Sequence, residues 1–403
     1  MAPLEPWEKV LVDGEAYFPT VHGQIPCQDC HGGVQAADKE SAHQGLIARP
    51  SDGSEEVCAD CHPDVASHAA GNLHNNLAGY WTALDARSGS SSHAALEEMF
   101  GNHCDTCHTS CGDCHVTQPA SVGGGFISGH TFNREPSMTR NCTACHGSRV
   151  GNEYLGKHDD LLADVHFRQG RMKCVDCHTG EQMHGYPQAC DTCHATPEDG
   201  QVPPPEHRYD GVAAPSCEAC HAAVTIGNDG IQMHKYHAGE LSCQVCHSIS
   251  YTNCDGCHVA VSDTTGNPYF STDGSYLGFY IGRNTLKSFN RPYEYVTVRH
   301  VPVAEDSFEY YGENLLSNFD ALPTWAYATP HNIQRNTPQT ESCDQCHNNP
   351  ALFLTVDKVN PEEWQANLDV IVFDVPPAVA DLLKPPTLPE PTQPITSTEV
   401  ITP

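Results

Sequence analysis

"CDTCHTSCGDCH", residues 104–115, places four cysteines and two histidines in twelve positions, and each histidine directly follows a Cys-x-x-Cys pair. The two copies belong to a series. It begins Cys27-Cys30-His31, Cys58-Cys61-His62, Cys104-Cys107-His108, Cys111-Cys114-His115, Cys142-Cys145-His146 and Cys174-Cys177-His178. It continues Cys190-Cys193-His194, Cys217-Cys220-His221, Cys243-Cys246-His247, Cys254-Cys257-His258 and Cys343-Cys346-His347. Eleven copies use all 22 cysteines. Random placement at this composition gives roughly 0.1 copy in the whole chain, so the series is a built feature.

The 403 residues are enough for two or three ordinary domains. The 38% apolar share includes the cysteines; without them it falls to about 33%, thin for a globular chain of this length. With 32 glycines and 30 prolines, turns and irregular segments should outnumber long regular elements. Something other than aliphatic side chains is expected to fill the interior.

Three readings of the cysteines fail on spacing. A disulfide framework needs no histidine after each pair, and cysteines three residues apart are too close for long-loop staples. Zinc sites combine two such pairs, or one pair with two spaced histidines, whereas here the pairs are odd in number. Thioredoxin-like chemistry uses one pair in a βαβ setting. The reading that remains is covalent c-type haem: two thiols take the two vinyl groups of one porphyrin, and the next residue supplies the proximal imidazole. Eleven haem c groups are expected.

On these motifs, which span residues 27–347, the chain resembles the multihaem c-type cytochromes. The close pairs Cys104 to His115 and Cys243 to His258 are similar to paired motifs of that superfamily. The resemblance implies a carrier of electrons in a periplasm or on a cell surface, of a kind that in some members polymerises into conductive filaments.

Removing the eleven motif histidines from 26 leaves fifteen, enough for a second imidazole at every iron. The favoured sixth ligands are His22, His43, His68, His74, His130, His166, His184, His207, His234, His237, His300 and His331; His93, His103 and His158 are weaker candidates. Methionine is an alternative ligand that raises potentials, and Met183 and Met233 each precede a candidate histidine. A multihaem reductase or oxidase of nitrite, hydroxylamine or tetrathionate, with one open iron, is the rival function. No Cys-x-x-Cys-Lys variant points to it, and electron transfer without catalysis is the expectation.

His108 and His115 lie seven residues apart, a backbone span of roughly 10 Å if helical and about 25 Å if extended, so their haems should be near neighbours. His247 and His258 are constrained almost as tightly. Most other intervals between motif histidines, 16 to 32 residues, suit short helices and loops wrapped around successive haems.

Formal charge is −31, from 51 acids against 20 bases. That disfavours nucleic acid as a partner and, beside haem, lowers reduction potentials. Calcium is a further candidate cofactor at "SDGSEE" and "PEDG", though the spacing is unspecific. Haem attachment of this type implies export, and "MAPLEPWEKV" has neither a basic n-region nor an apolar h-region, so a mature or recombinant chain is expected. An extracytoplasmic location follows, cell surface or secreted before periplasmic. No run approaches 18 apolar residues, so no transmembrane segment is expected.

The predicted fold is mostly irregular coil with short α-helices organised around a stacked haem chain. Residues 1–258 form a haem-dense region with ten motifs. Residues 259–340 lack cysteine and carry Tyr-rich alternation in "SYLGFYIG" and "YEYVTVRHV", a small β-containing insertion. Residues 341–350 hold the eleventh motif. Residues 351–403 form a C-terminal segment in which "EEWQANLDVIVFDVPPAVADLLK" packs as strand or short helix before a Pro/Thr-rich extended tail. Redox partner proteins or extracellular acceptors, and head-to-tail copies of the chain itself, are the expected partners.

Overall fold

The spacing of the motif is already a helical instruction. Positions i, i+3 and i+4 share one face of an α-helix, so a single turn turns both thiols and the imidazole the same way. The computed structural model, which describes residues 3–51, 55–69, 71–104, 109–158, 160–186, 215–225, 229–272, 276–287, 291–301 and 304–383, has such turns at Cys27–His31, Cys111–His115, Cys174–Cys177, Cys217–Cys220 and Cys243–His247. An acidic residue inside the motif caps two of them. Asp113 accepts from the backbone N–H of Ser110 at 3.0 Å, and Asp176 from that of Lys173 at 2.7 Å. Both carboxylates satisfy N–H groups that a helix start leaves without partners.

Longer helices are few. Ala78–Arg87 and His93–His103, ten and eleven residues, are the longest among the described residues. No described helix is long and apolar enough to cross a membrane. Among the described residues the remainder is short helices, turns and irregular backbone, with seven strands.

All described strands fall between Asn253 and Tyr327. β1 (Asn253–Cys254) pairs antiparallel with β4 (Tyr276–Leu277), and β2 (Cys257–Val261) with β3 (Pro268–Thr272). β5 (Tyr280–Arg283), β6 (Tyr295–His300) and β7 (Trp325–Tyr327) form an antiparallel sheet in the order 5-6-7. Ile281 lies opposite Thr297, and Val298 opposite Tyr327. Both Tyr-rich stretches singled out in the sequence carry strands, the first β4 and the start of β5, the second β6.

Conventional cores lie in and beside this region. Val296, Val298, Trp325, Leu354, Val359, Val370 and Ile371 form one cluster. Val245, Ile281, Phe353 and Val372 form a second. Leu77, Leu96, Met99, Phe100, Val259, Phe308, Leu315 and Leu316 join the two long helices to β2 in a third. Gly282 is where the sheet meets the C-terminal segment: a Cβ there would stand 2.8 Å from a Val298 methyl. In place of the single strand or helix expected over 362–384, the chain forms the short helices Trp364–Asn367 and Val379–Leu382, with Val370, Ile371 and Val372 buried between them. The Pro/Thr-rich tail beyond Leu383 lies outside the described residues.

Candidate functional site

One continuous cavity of about 5680 Å³ runs through the motif-bearing part of the molecule. Ordinary ligand pockets measure about 300–1,000 Å³, so this space suits several large groups in series. Eight motifs line it with both cysteines and the histidine, those of His31, His62, His115, His146, His178, His221, His247 and His347. Apolar and aromatic residues, including Phe18, Phe126, Phe132, Tyr154 and Val245, form much of the rest of its wall, beside polar and charged ones such as Arg49, Asn133 and Glu218.

Each of these eight histidines faces one histidine from outside the motifs. Ring centroids are 6.2 Å apart for His22 and His62, 5.9 Å for His130 and His31, 6.1 Å for His74 and His146, and 6.0 Å for His184 and His115. They are 6.4 Å apart for His331 and His178, 6.1 Å for His166 and His221, 5.9 Å for His234 and His247, and 6.1 Å for His237 and His347. Imidazole–metal bonds of about 2.0 Å, with each centroid about 1.2 Å behind its nitrogen, place two rings on opposite sides of one metal about 6.4 Å apart. All eight separations lie within half an ångström of that value.

At several of these rings Nδ1 has a hydrogen-bond partner of its own. Nδ1 of His31, His115, His247 and His347 hydrogen-bonds the backbone carbonyls of Ile47 (2.9 Å), Asn133 (2.7 Å), Gln334 (3.1 Å) and Pro377 (2.9 Å). A carbonyl accepts only, so Nδ1 carries the proton and Nε2 the lone pair, as metal-ligating histidines require. On the opposite side, Nδ1 of His74 and His166 meets Asn72 (3.1 Å) and Asp164 (3.0 Å), and that of His234 meets Asp229. Burial, with help from the facing or neighbouring ring, holds His22, His74, His130, His146, His178, His184 and His237 below the usual imidazole range. Burial thus favours the neutral ring, the form that binds a metal. Burial next to Cys142 pushes the Cys114 thiol up to about 12. Gly185, at φ +74, lets the chain turn after His184 against the His68 carbonyl, which an added Cβ would meet at 2.6 Å.

The eight sites form a file. The His31 and His62 sites adjoin through Cys30 and Cys61 and share Phe132, which stacks on His22 at 3.9 Å. Asn133, next to Phe132, anchors His115. Cys114 adjoins Cys142 and Cys145, and Cys142 hydrogen-bonds Cys174. Cys177 adjoins Cys217 and Cys220, Cys217 hydrogen-bonds Cys243, and Cys246 adjoins Cys346. One helix, Gln232–His237, supplies both His234 and His237 to the last two sites. From the His115 site to the His347 site, the spatial order of the described sites follows the sequence order.

Of the predicted sixth ligands, His22, His74, His130, His166, His184, His234, His237 and His331 stand opposite motif rings. His43 and His68 line the same cavity, but no described motif ring faces them; His68 stacks on Tyr186 at 4.5 Å. His207, and the motif residues Cys107, His108, Cys190, Cys193 and His194, lie outside the described residues, so the predicted closeness of the His108 and His115 sites does too. His258 sits on β2 with Nδ1 3.0 Å from the Gly256 carbonyl.

His300 is a correction. Its Nδ1 lies 3.0 Å from Asp255 and its Nε2 3.1 Å from Glu363, so neither nitrogen is free for iron. Burial alone would lower its pKa, but the two carboxylates outweigh burial and push it up to about 9. Of the weaker candidates, His93 contacts Asp85 and Glu97, His103 lies 2.9 Å from the Tyr311 hydroxyl, and His158 stacks on Tyr251 at 4.1 Å. At the methionine positions, His184 and His234 face the motif rings, not Met183 and Met233. "PEDG" and part of "SDGSEE" lie outside the described residues. Among the described residues no three His, Cys, Asp or Glu side chains gather round a point, as a zinc or calcium site needs.

Sequence reading missed the acceptors of the Nδ1 protons. A signal exists: Asn72 and Asp164 each stand two residues before the histidine they orient. No family model, no curated protein and no solved structure matches this chain.

Proposed function

We propose that this chain is an extracytoplasmic eleven-haem c-type cytochrome whose haems, when bound, supply one-electron carriers at sites in file. The observation that carries the reading is the set of eight facing histidine pairs, each joining one motif histidine to one non-motif histidine at the separation a shared metal requires. The cysteines of each motif would fix the group, the paired imidazoles would hold its metal, and the Nδ1 contacts set ring orientation. Apolar and aromatic residues along the cavity exclude water and lower the local dielectric. Two imidazoles at each of these eight sites would leave the metal no open position, which favours electron relay over catalysis. Exposed Cys27 and Cys343 mark the ends of the motif series, where a redox partner, an extracellular acceptor or a second copy joined head to tail would dock. A cell-surface or secreted location accords with that use.

Intact-protein mass under denaturing conditions, combined with electron paramagnetic resonance of the oxidised form, tests this. Eleven covalently attached haems with predominantly low-spin signals are expected. A complement of nine or fewer in matured protein, or a stoichiometric high-spin site that rapidly binds nitrite or cyanide, would move the reading to decoy motifs or to the reductase class.

A further inference from the structure

The eight partner histidines are not oriented alike. At two sites the acceptor on the ring's second nitrogen is a carboxylate. Asp164 Oδ1 takes the His166 backbone N–H at 2.7 Å and its Nδ1–H at 3.0 Å, while Oδ2 takes the Ile333 N–H at 2.7 Å. Asp229 Oδ1 takes the Ile231 N–H at 3.0 Å, and Oδ2 takes Nδ1–H of His234. Every contact of both carboxylates is with a donor, the pattern of an ionised group. At a third site the neutral amide of Asn72 does the same work, accepting from His74 N–H at 2.7 Å and Nδ1 at 3.1 Å. At two others, the buried Nδ1 atoms of His130 and His331 have no hydrogen-bond partner.

An anionic acceptor draws the Nδ1 proton and raises the electron density at Nε2, making the ring a stronger donor to the metal. A stronger donor stabilises ferric over ferrous iron. The two carboxylate-backed sites, those of His221 and His247, are consecutive in the file. A third carboxylate stands between them: Glu218 accepts from the Ser216 hydroxyl at 2.6 Å, from the Tyr293 hydroxyl and from the Cys243 thiol. The buried acids beside other sites are matched by cations, Glu153 by Arg299 at 2.9 Å and Asp113 by Arg49 at 3.0 Å.

We propose that Asp164 and Asp229 are positioning and tuning residues that make the His221 and His247 sites the low-potential stretch of the file. The proposal rests on the haem reading above. Asn72 is the same device without charge, so it sets the natural control, and asparagine caps a helix start as well as aspartate does.

The test is potentiometric titration of the fully haem-loaded chain, with haem complement checked by intact mass and spin state by electron paramagnetic resonance. In the Asp164→Asn, Asp229→Asn double variant, two haems' worth of the curve should move to higher potential. The expected size is about a tenfold change in the ferric-to-ferrous ratio at fixed potential, or about 59 mV for one electron. Asn72→Asp should move one haem's worth by a similar factor the opposite way, and carries the test if the double variant loses haem. Curves that superimpose on the wild type with full haem content and low-spin signals overturn the tuning role and leave the cytochrome reading standing. So does a uniform shift of all haems, which would mark a diffuse charge effect. Wild-type protein without covalent haem would sink the cytochrome reading itself.

Discussion

Between Gly101 and Glu240, Val116 is the only buried hydrophobic among the described residues, whereas Leu241 to Val372 contributes seventeen. The two regions belong to one chain and fill their interiors by different means. The second has clusters built from buried residues such as Val296, Trp325, Leu354 and Ile371. The first has a continuous cavity walled by thiols and imidazoles. A sleeve of single-turn helices cannot bury enough apolar area to offset the entropy of ordering it. On the haem reading proposed above, its order would come from groups held inside it, much as small metal domains depend on their metal.

The sharpest way to break this contrast is to make the chain without haem attachment. Hydrogen exchange should then be near unfolded rates across residues 109–186, while β5–β7 stay protected. Equal protection of both would show that the sleeve has a protein core of its own. Next in size are substitutions in the conventional cores. Ile371→Ala and Leu316→Ala, each fully buried, should each cost about 2–5 kcal/mol in denaturant unfolding while leaving the haem spectrum unchanged.

His331 and His300 bring the comparison to single residues, one in each kind of interior. His331→Ala should convert one low-spin site to high spin. His300→Gln should leave every spin state alone and act on stability. The folded pKa of His300 is raised to about 9, so its imidazolium stabilises the fold fully below an unfolded pKa of about 6.5, by on the order of 3 kcal/mol. That contribution fades as pH climbs toward 9, and pH-dependent unfolding of wild type against variant should show the gap closing there. A stability gap that widened with rising pH would contradict the buried ion triad. The smallest effect belongs to the surface: Lys173 and Glu135 form a pair with both side chains about half exposed, and Glu135→Gln should change stability by less than about 0.5 kcal/mol.

Much of the site was legible because its chemistry is local. The Cys-x-x-Cys-His spacing is itself a helical face, and the alternation in "YEYVTVRHV" is β6. The matching of partners was not legible, since it is tertiary: His130 crosses back to His31, and His331 reaches His178 from the far side of the β region. His300 looked like a ligand because sequence shows a histidine in an alternating strand and not the two carboxylates, 45 and 63 residues away, that hold it. The Asx residues two positions before His74 and His166 were visible, but their meaning needs the helix start that turns both groups toward one another.

The most direct test of the central claim is an experimental structure of the haem-loaded protein with iron located by anomalous scattering. The account predicts one iron midway between the rings of each of the eight pairs, from His22 with His62 to His237 with His347, in a single file that follows sequence order from the His115 site to the His347 site. Irons bound to the motif histidines but paired with other side chains, or left open at several of these positions, would contradict it.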